Sequence, residues 1–364
     1  MRRLGIAVWA LVGLGTLGPS TAGAVEIESK AEKIDLTGRV HTQWNTTSVD
    51  GEPSNLFLLR RVRPSIKVKI NDWISGVAEV DFGKSSTDVK DAYFKMEPIE
   101  DHLDVILGKT KRRFDLFELT SSTQILVVER DGEIRGTDVV SLSSLTEDLG
   151  YSDRDLGVFV MAHDGSNRYT VEAAVTNGVK GEPTFGEKAY QGRASVQPVA
   201  DLALVLNGGV SAHPFQPVPT SEDIEYGLAF EGSAEWGNFK SGPHVQAGFV
   251  GGDNWSAYDT VAKESPNFSA VQGIAAYKHP LAGNRYLEAV EPVLRVGWAD
   301  PNTDVDKDGG TLFTPGLNVY VSGRNRLSLN VDVYQPQADD DPGTAGVDES
   351  ETVYSVKAQS WLYW

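Results

Sequence analysis

Between Leu56 and Ile70 the chain alternates apolar and polar side chains. Val62, Pro64, Ile66, Val68 and Ile70 share one parity, and Arg61, Arg63, Ser65, Lys67 and Lys69 share the other. Successive side chains of a strand point to opposite faces, so this segment predicts a strand with one apolar and one basic side. The period returns at Tyr169, Val171, Ala173 and Val175 against Thr170, Glu172 and Thr176, and at Leu327, Leu329, Val331 and Val333 against Ser328, Asn330 and Asp332. About sixteen segments alternate in this way, at 34–46, 56–70, 74–83, 89–97, 103–110, 154–163, 168–177, 188–198, 202–213, 225–236, 239–250, 268–280, 286–299, 311–322, 326–336 and 351–364.

The connections alternate too. Asn71-Asp72-Trp73, Asp164 to Asn167, Ala200-Asp201, Gly237-Asn238 and Gly323-Arg324-Asn325 are short, while 47–55, 178–187, 214–224, 251–267, 300–310 and 337–350 are longer and polar. Short turns on one rim and long loops on the other predict an all-β, transmembrane antiparallel β-barrel of about 16 strands. A soluble β-sandwich also reads as alternating strands, but it needs two apolar inner faces, and here nearly every strand has one frankly polar face. The chain also alternates up to a terminal aromatic, Trp361-Leu362-Tyr363-Trp364, an ending that resembles an outer-membrane assembly signal.

Lipid fixes the register. A Lys or Arg facing the bilayer midplane costs about 2–4 kcal/mol, so a one-residue slip that exposed Arg61, Arg63, Lys67 and Lys69 is prohibitive. The basic face therefore points into the lumen. Arg60 falls on the other parity, and its place near the strand start suggests a rim. Trp44, Tyr190, Tyr226, Phe230, Phe249, Leu362 and Trp364 lie on apolar faces, where an interfacial girdle belongs.

One connection, 111–153, is far longer than the rest. Loops of that length are usually functional. It carries Phe114, Leu116, Phe117, Leu119, Ile125, Leu126 and Val127, apolar side chains that need a surface to cover them. The expectation is a loop folded into the barrel as a constriction.

Composition narrows the function. Against 33 Lys+Arg stand 51 Asp+Glu, a net charge of −18, which disfavours nucleic acid as a partner. No Cys is present, so disulfides and thiolate chemistry are excluded. Met1-Arg2-Arg3, the apolar run Leu4 to Leu17 and Ala22-Gly23-Ala24 read as a signal peptide over 1–24, leaving 25–364 as an exported barrel. The six His are scattered and no nucleophile or metalloprotease motif occurs, so no enzyme is expected.

Phe57 to Asp81, with Leu59-Arg60-Arg61-Val62-Arg63 and Glu79-Val80-Asp81-Phe82, resembles the N-terminal signature of the phosphate-selective porin O and P family. Asp91-Ala92-Tyr93, Leu107 to Phe114, Phe117 to Ser121, Asp155-Leu156-Gly157-Val158, Thr176-Asn177-Gly178 and Tyr190 to Pro198 continue the resemblance over nearly the whole chain. It implies a sixteen-stranded homotrimeric porin of the bacterial outer membrane. Its third external loop would fold inward, and basic residues would guide small anions such as phosphate or polyphosphate.

A pore attracts anions through fixed positive charge close to the ion path. Arg61, Arg63, Lys67 and Lys69 form a column about 27 Å long at about 3.3 Å per residue. Lys109, Lys111, Arg112 and Arg113 cluster where the long loop leaves the wall, and Arg39, Lys95, Arg193, Arg295 and Lys357 lie on polar parities. Against them stand Glu79, Asp81, Asp91, Glu172, Glu231 and Asp332, also lumenal, which can pair across strands. Complete pairing would describe a general diffusion porin without anion selectivity. A third reading is an occluded structural or surface-binding barrel with acidic calcium-binding loops. Asp304-Val305-Asp306-Lys307-Asp308-Gly309 opens like a calcium loop, though Pro315 stands where the twelfth-position carboxylate belongs. Asp304, Asp306 and Asp308 are its candidate ligands, and no other cofactor is expected.

Overall fold

The computed structural model describes residues 30–52, 55–83, 86–178, 186–199, 201–217, 223–337 and 351–364. The signal peptide expected over 1–24 lies outside the described residues. Sixteen strands lie within them: β1 (Lys33–Thr47), β2 (Leu56–Asn71), β3 (Ile74–Asp81), β4 (Asp88–Ile99), β5 (Leu103–Lys111), β6 (Arg154–His163), β7 (Tyr169–Thr176), β8 (Ala189–Val196), β9 (Leu204–Phe215), β10 (Glu225–Gly237), β11 (Gly242–Asp253), β12 (Asn267–Pro280), β13 (Ala289–Asp300), β14 (Gly310–Ser322), β15 (Asn325–Pro336) and β16 (Val353–Tyr363). Each differs from its alternating segment by no more than three residues at either end.

Every strand pairs antiparallel with its chain neighbours, and β1 closes on β16, so the sheet is a closed barrel. The seam runs from Arg39 opposite Tyr363 to Thr47 opposite Ser355. Beyond it, Gly38 and Trp364 exchange backbone hydrogen bonds of 3.2 and 3.3 Å. Closure leaves no unpaired edge in the membrane. The outer wall exposes Phe57, Leu59, Val171, Val210, Leu228, Phe230 and Leu362, while the inner wall buries Arg61, Arg63, Glu79, Asp81, Gln191 and Asn318. Greasy outside and polar inside is the solvation pattern that lipid demands.

The register slips once in the basic wall. His41 faces Arg61 but Thr42 faces Leu59, which leaves Arg60 as the extra residue of a β-bulge. Arg60 and Arg61 therefore both turn inward. The rim position expected for Arg60 is corrected: strict alternation fails wherever a bulge inserts a residue.

The long connection lies inside the barrel. It holds α1 (Leu116–Leu119), capped by the Asp115 carboxylate, which accepts from Phe117 N, and α2 (Leu142–Asp148), with a capping box between Ser141 and Ser144. Phe114, Phe117, Leu126, Val127, Leu142, Leu149 and Tyr151 pack against Ala229, Val250, Phe268, Ala270, Ile274, Ala276, Val293 and Ala299 on the inner faces of β10–β13. Burial of these side chains drives the docking. At Gly248 a Cβ would fall 2.9 Å from the Phe117 ring, so a glycine there leaves room for the ring.

Candidate functional site: a lumen divided by an internal loop

The stretch 125–133 runs along the inner wall without a strand partner, and wall side chains take up its backbone groups. Arg326 donates to Ile125 O (2.5 Å), Asn318 to Leu126 O (2.9 Å), Arg295 to Glu129 O and Arg130 O (both 2.8 Å), and Lys357 to Glu133 O (2.5 Å). Asn330 accepts from Val128 N at 2.6 Å. From β2, two strands beyond β16 across the seam, Arg60 grips the Glu129 carboxylate with Nε and Nη2, at 2.5 and 2.6 Å, and Arg61 stands 3.7 Å away. Burial alone would raise the Glu129 carboxyl, but the Arg60 and Arg61 charges hold it below the ordinary carboxylate range.

Beside the loop, two cavities share the basic strand β2 as a wall. The one on the long-loop side, about 250 Å³, is lined by Arg60, Arg61, Arg63, Lys90, Arg130 and Arg154, and by Asp81, Asp88, Glu118, Glu129, Asp131, Glu147 and Asp153. The one on the short-turn side, about 450 Å³, is lined by Arg39, Arg63, Lys67, Lys111, Arg113, Arg154 and Arg324 against two side-chain carboxylates, Glu79 and Asp91. Arg63 and Arg154 belong to both, so the cavities meet at these two side chains. Such a lumen is lined by charged side chains and electrically lopsided.

Residues 34–237 match the family profile described as phosphate-selective porin O and P, more than half of the chain. The chain belongs to that family. No curated protein matches it. Among solved structures, the chain is similar to the outer membrane channel DcaP of Acinetobacter baumannii at 13% identity and a TM-score of 0.61, over 90% of this chain and 97% of that one. It is also similar to OmpT of Vibrio cholerae in a trimer form (14%, 0.56, 91% and 99%) and to Salmonella typhi OmpF in complex with daunomycin (10%, 0.57, 93% and 100%). At such identities these likenesses speak for the barrel fold. With the family, they make this an outer-membrane diffusion channel.

In this porin the candidate cations scatter into different roles. Arg61 and Arg63 line the outer cavity, and Arg39, Arg63, Lys67, Lys111 and Arg113 the inner one. Most are paired: Arg39 with Glu79 at 2.5 Å, Arg63 with Asp81 at 2.6 Å, Lys111 with Glu118 at 3.5 Å and Arg113 with Glu172 at 3.0 Å. Lys67 alone of the ladder has no ion-pair partner among the described residues. Lys69 sits at the short-turn rim on Asp72 (2.6 Å), and Lys95 lies between Glu97 and Asp104 (2.8 and 2.9 Å).

Five assignments are corrected. Arg295 and Lys357 have no exposed surface, because both lie under the loop on its carbonyls and share Asp332 at 2.7 and 2.6 Å. Arg112 is buried at the root of the loop against Asp155 (2.8 Å) and the Gly150 and Ser152 carbonyls. Arg193 is buried between Glu231 (2.8 Å) and Glu172 (3.8 Å). Lys109 faces Leu156 in register, a residue 53% exposed on the outer wall, and its ammonium meets Asp88 at 3.3 Å. Parity alone cannot separate a cation that lines water from one that struts a loop.

The calcium expectation fares no better. Asp304 and Asp306 are exposed, Asp308 turns to Asp300, and among the described residues no three carboxylates or imidazoles gather to hold a metal. Alternation overlooked Arg154, at the very start of β6, and Arg324, in a tight turn, since turn residues have no face to assign. Arg130 went unassigned because the loop has no period.

Proposed function

We propose that this chain forms a passive, anion-preferring channel, narrowed by its internal loop, that works as a homotrimer without enzymatic activity. The observation that carries the preference is the position of the cations that lack carboxylate partners. Among the described residues Lys67 has no ion-pair partner and Arg324 bonds only to Thr123 Oγ1, at 3.1 Å, and both face the short-turn cavity. That rim is the periplasmic end of an outer-membrane barrel. A fixed charge about 8 Å from an ion in water contributes about 0.5 kcal/mol, so two give about a fivefold bias before screening. The family's description supports phosphate among the permeant anions, and the trimer form of OmpT supports the assembly.

A second reading, a general diffusion porin without ionic preference, draws on the pairing of Arg39, Arg61 and Arg63. Reversal potentials across a planar bilayer in a KCl gradient decide between them. Wild-type protein is expected to favour chloride, and the Lys67→Gln, Arg324→Gln double variant to lose about fivefold of that preference at low salt. A wild-type potential at zero, or one that the double variant leaves in place, would overturn the anion reading.

A further inference from the structure

A second chamber of about 450 Å³ opens beside the short-turn cavity and shares Thr123 and Arg324 with it. Its cations are Lys240, Lys278, Arg324 and Arg326, and its one lining carboxylate, Glu288, accepts from Gly323 N at 2.6 Å. None of the four cations has an ion-pair partner among the described residues. The Lys278 ammonium stands 3.4 Å from the centroid of the Tyr320 ring, and Arg326 lies over Trp361 at 4.0 Å. Aromatic faces hold both cations in place without neutralising them. Glu291 lies behind this wall, bonded to Asn318 and to the Tyr320 hydroxyl at 2.9 and 2.8 Å, and does not line the chamber.

Thr123 and Gln124 also line it, and its apolar surface comes from Phe239, Pro280, Ala289 and the Tyr320 ring. A volume of this size with few placed polar groups suits a small molecule. We propose that this side chamber binds small organic anions, a carboxylate or sulfonate joined to an apolar group about the size of a phenyl ring. The charged end meets Lys278 and Arg324, and the apolar end covers Phe239 and Pro280. Bare inorganic anions gain only the first of these contacts. The proposal rests on the chain being an open channel, because the ligand enters through the periplasmic mouth.

The test uses the full chain in planar bilayers, with benzoate, acetate or benzyl alcohol added on the short-turn side of a chloride current. Benzoate is expected to interrupt the current at millimolar concentration, with acetate and benzyl alcohol at least tenfold weaker. Arg324→Gln and Phe239→Ala should each shorten the benzoate interruptions about tenfold, while folded-barrel mobility on gels stays unchanged. Calorimetry of benzoate on the detergent-solubilised protein gives a readout independent of conduction. Benzoate heats without anion preference in the reversal potential would sink the channel's selectivity and leave the chamber standing. Equal action of benzoate and acetate, or variants that leave benzoate residence unchanged, would overturn the chamber.

Discussion

Asp308 and Asp300 bring two carboxyls together where the external loop after β13 folds back, and they share a hydrogen bond. Partial burial, then the charge of Asp300, pushes the Asp308 carboxyl up to about 6. A raised carboxyl favours the folded loop while protonated, so the contribution is complete below about pH 4 and is lost as pH rises through about 6. Hydrogen exchange over 301–309, corrected for intrinsic rate, should show more protection at about pH 4.5 than at about pH 7. Asp308→Asn should flatten that dependence, and a wild-type loop with no pH dependence would refute the shared proton. The Asp-rich run was legible as acidic, but the chain curls so that Asp308 meets Asp300 rather than Asp304 and Asp306. Arg60 carries the same lesson. Its neighbours alternate, yet one bulged residue redirects it from the rim to Glu129, sixty-nine positions away in the chain. Only pairing across strands reveals that.

At the scale of elements, the strands were legible because lipid and water enforce period two on every one of them. β12 is the informative departure. Phe268, Ala270, Ile274 and Ala276 face inward, while Val271, Ala275 and Tyr277 face outward, so both faces are largely apolar. Its inner face touches the loop rather than water, and apolar residues on both faces of a barrel strand are the signal that could have located the docking wall. The loop's own contacts were not legible, because they join carbonyls of an aperiodic stretch to single polar residues spread over β13–β16. Phe117, 3% exposed and seated over Gly248, anchors the loop. Phe117→Ala should cost about 3–5 kcal/mol of local packing. Because the barrel's own ladder is untouched, the loss should fall on the loop. Single channels of this variant are expected to conduct more and with greater current noise, while the folded barrel keeps its gel mobility. Unaltered conductance and noise would mean that the loop does not set the aperture.

For the whole molecule, the decisive property is asymmetry. Six cationic and seven carboxylate side chains line the long-loop cavity, but seven cationic and two carboxylate side chains line the short-turn cavity. The chain as a whole carries −18, so the lumen's periplasmic half opposes the sign of the protein that encloses it. Net charge therefore misleads about selectivity, because an ion in the lumen responds to the walls within about a Debye length and not to distant loops. A polyanion too large for the aperture, such as tripolyphosphate bound to a bulky carrier, feels this difference directly. From the short-turn side it meets a cationic vestibule that raises its local concentration and capture rate; from the other side it meets balanced charge. Block of the current should thus need about tenfold less polyanion on the short-turn side at about 0.1 M salt, and the two sides should converge near 1 M as screening shortens the reach of the fixed charges to about 3 Å. Equal block from both sides at low salt would show that the paired and unpaired cations are electrically equivalent to a passing ion, and the charge asymmetry would then have no part in transport.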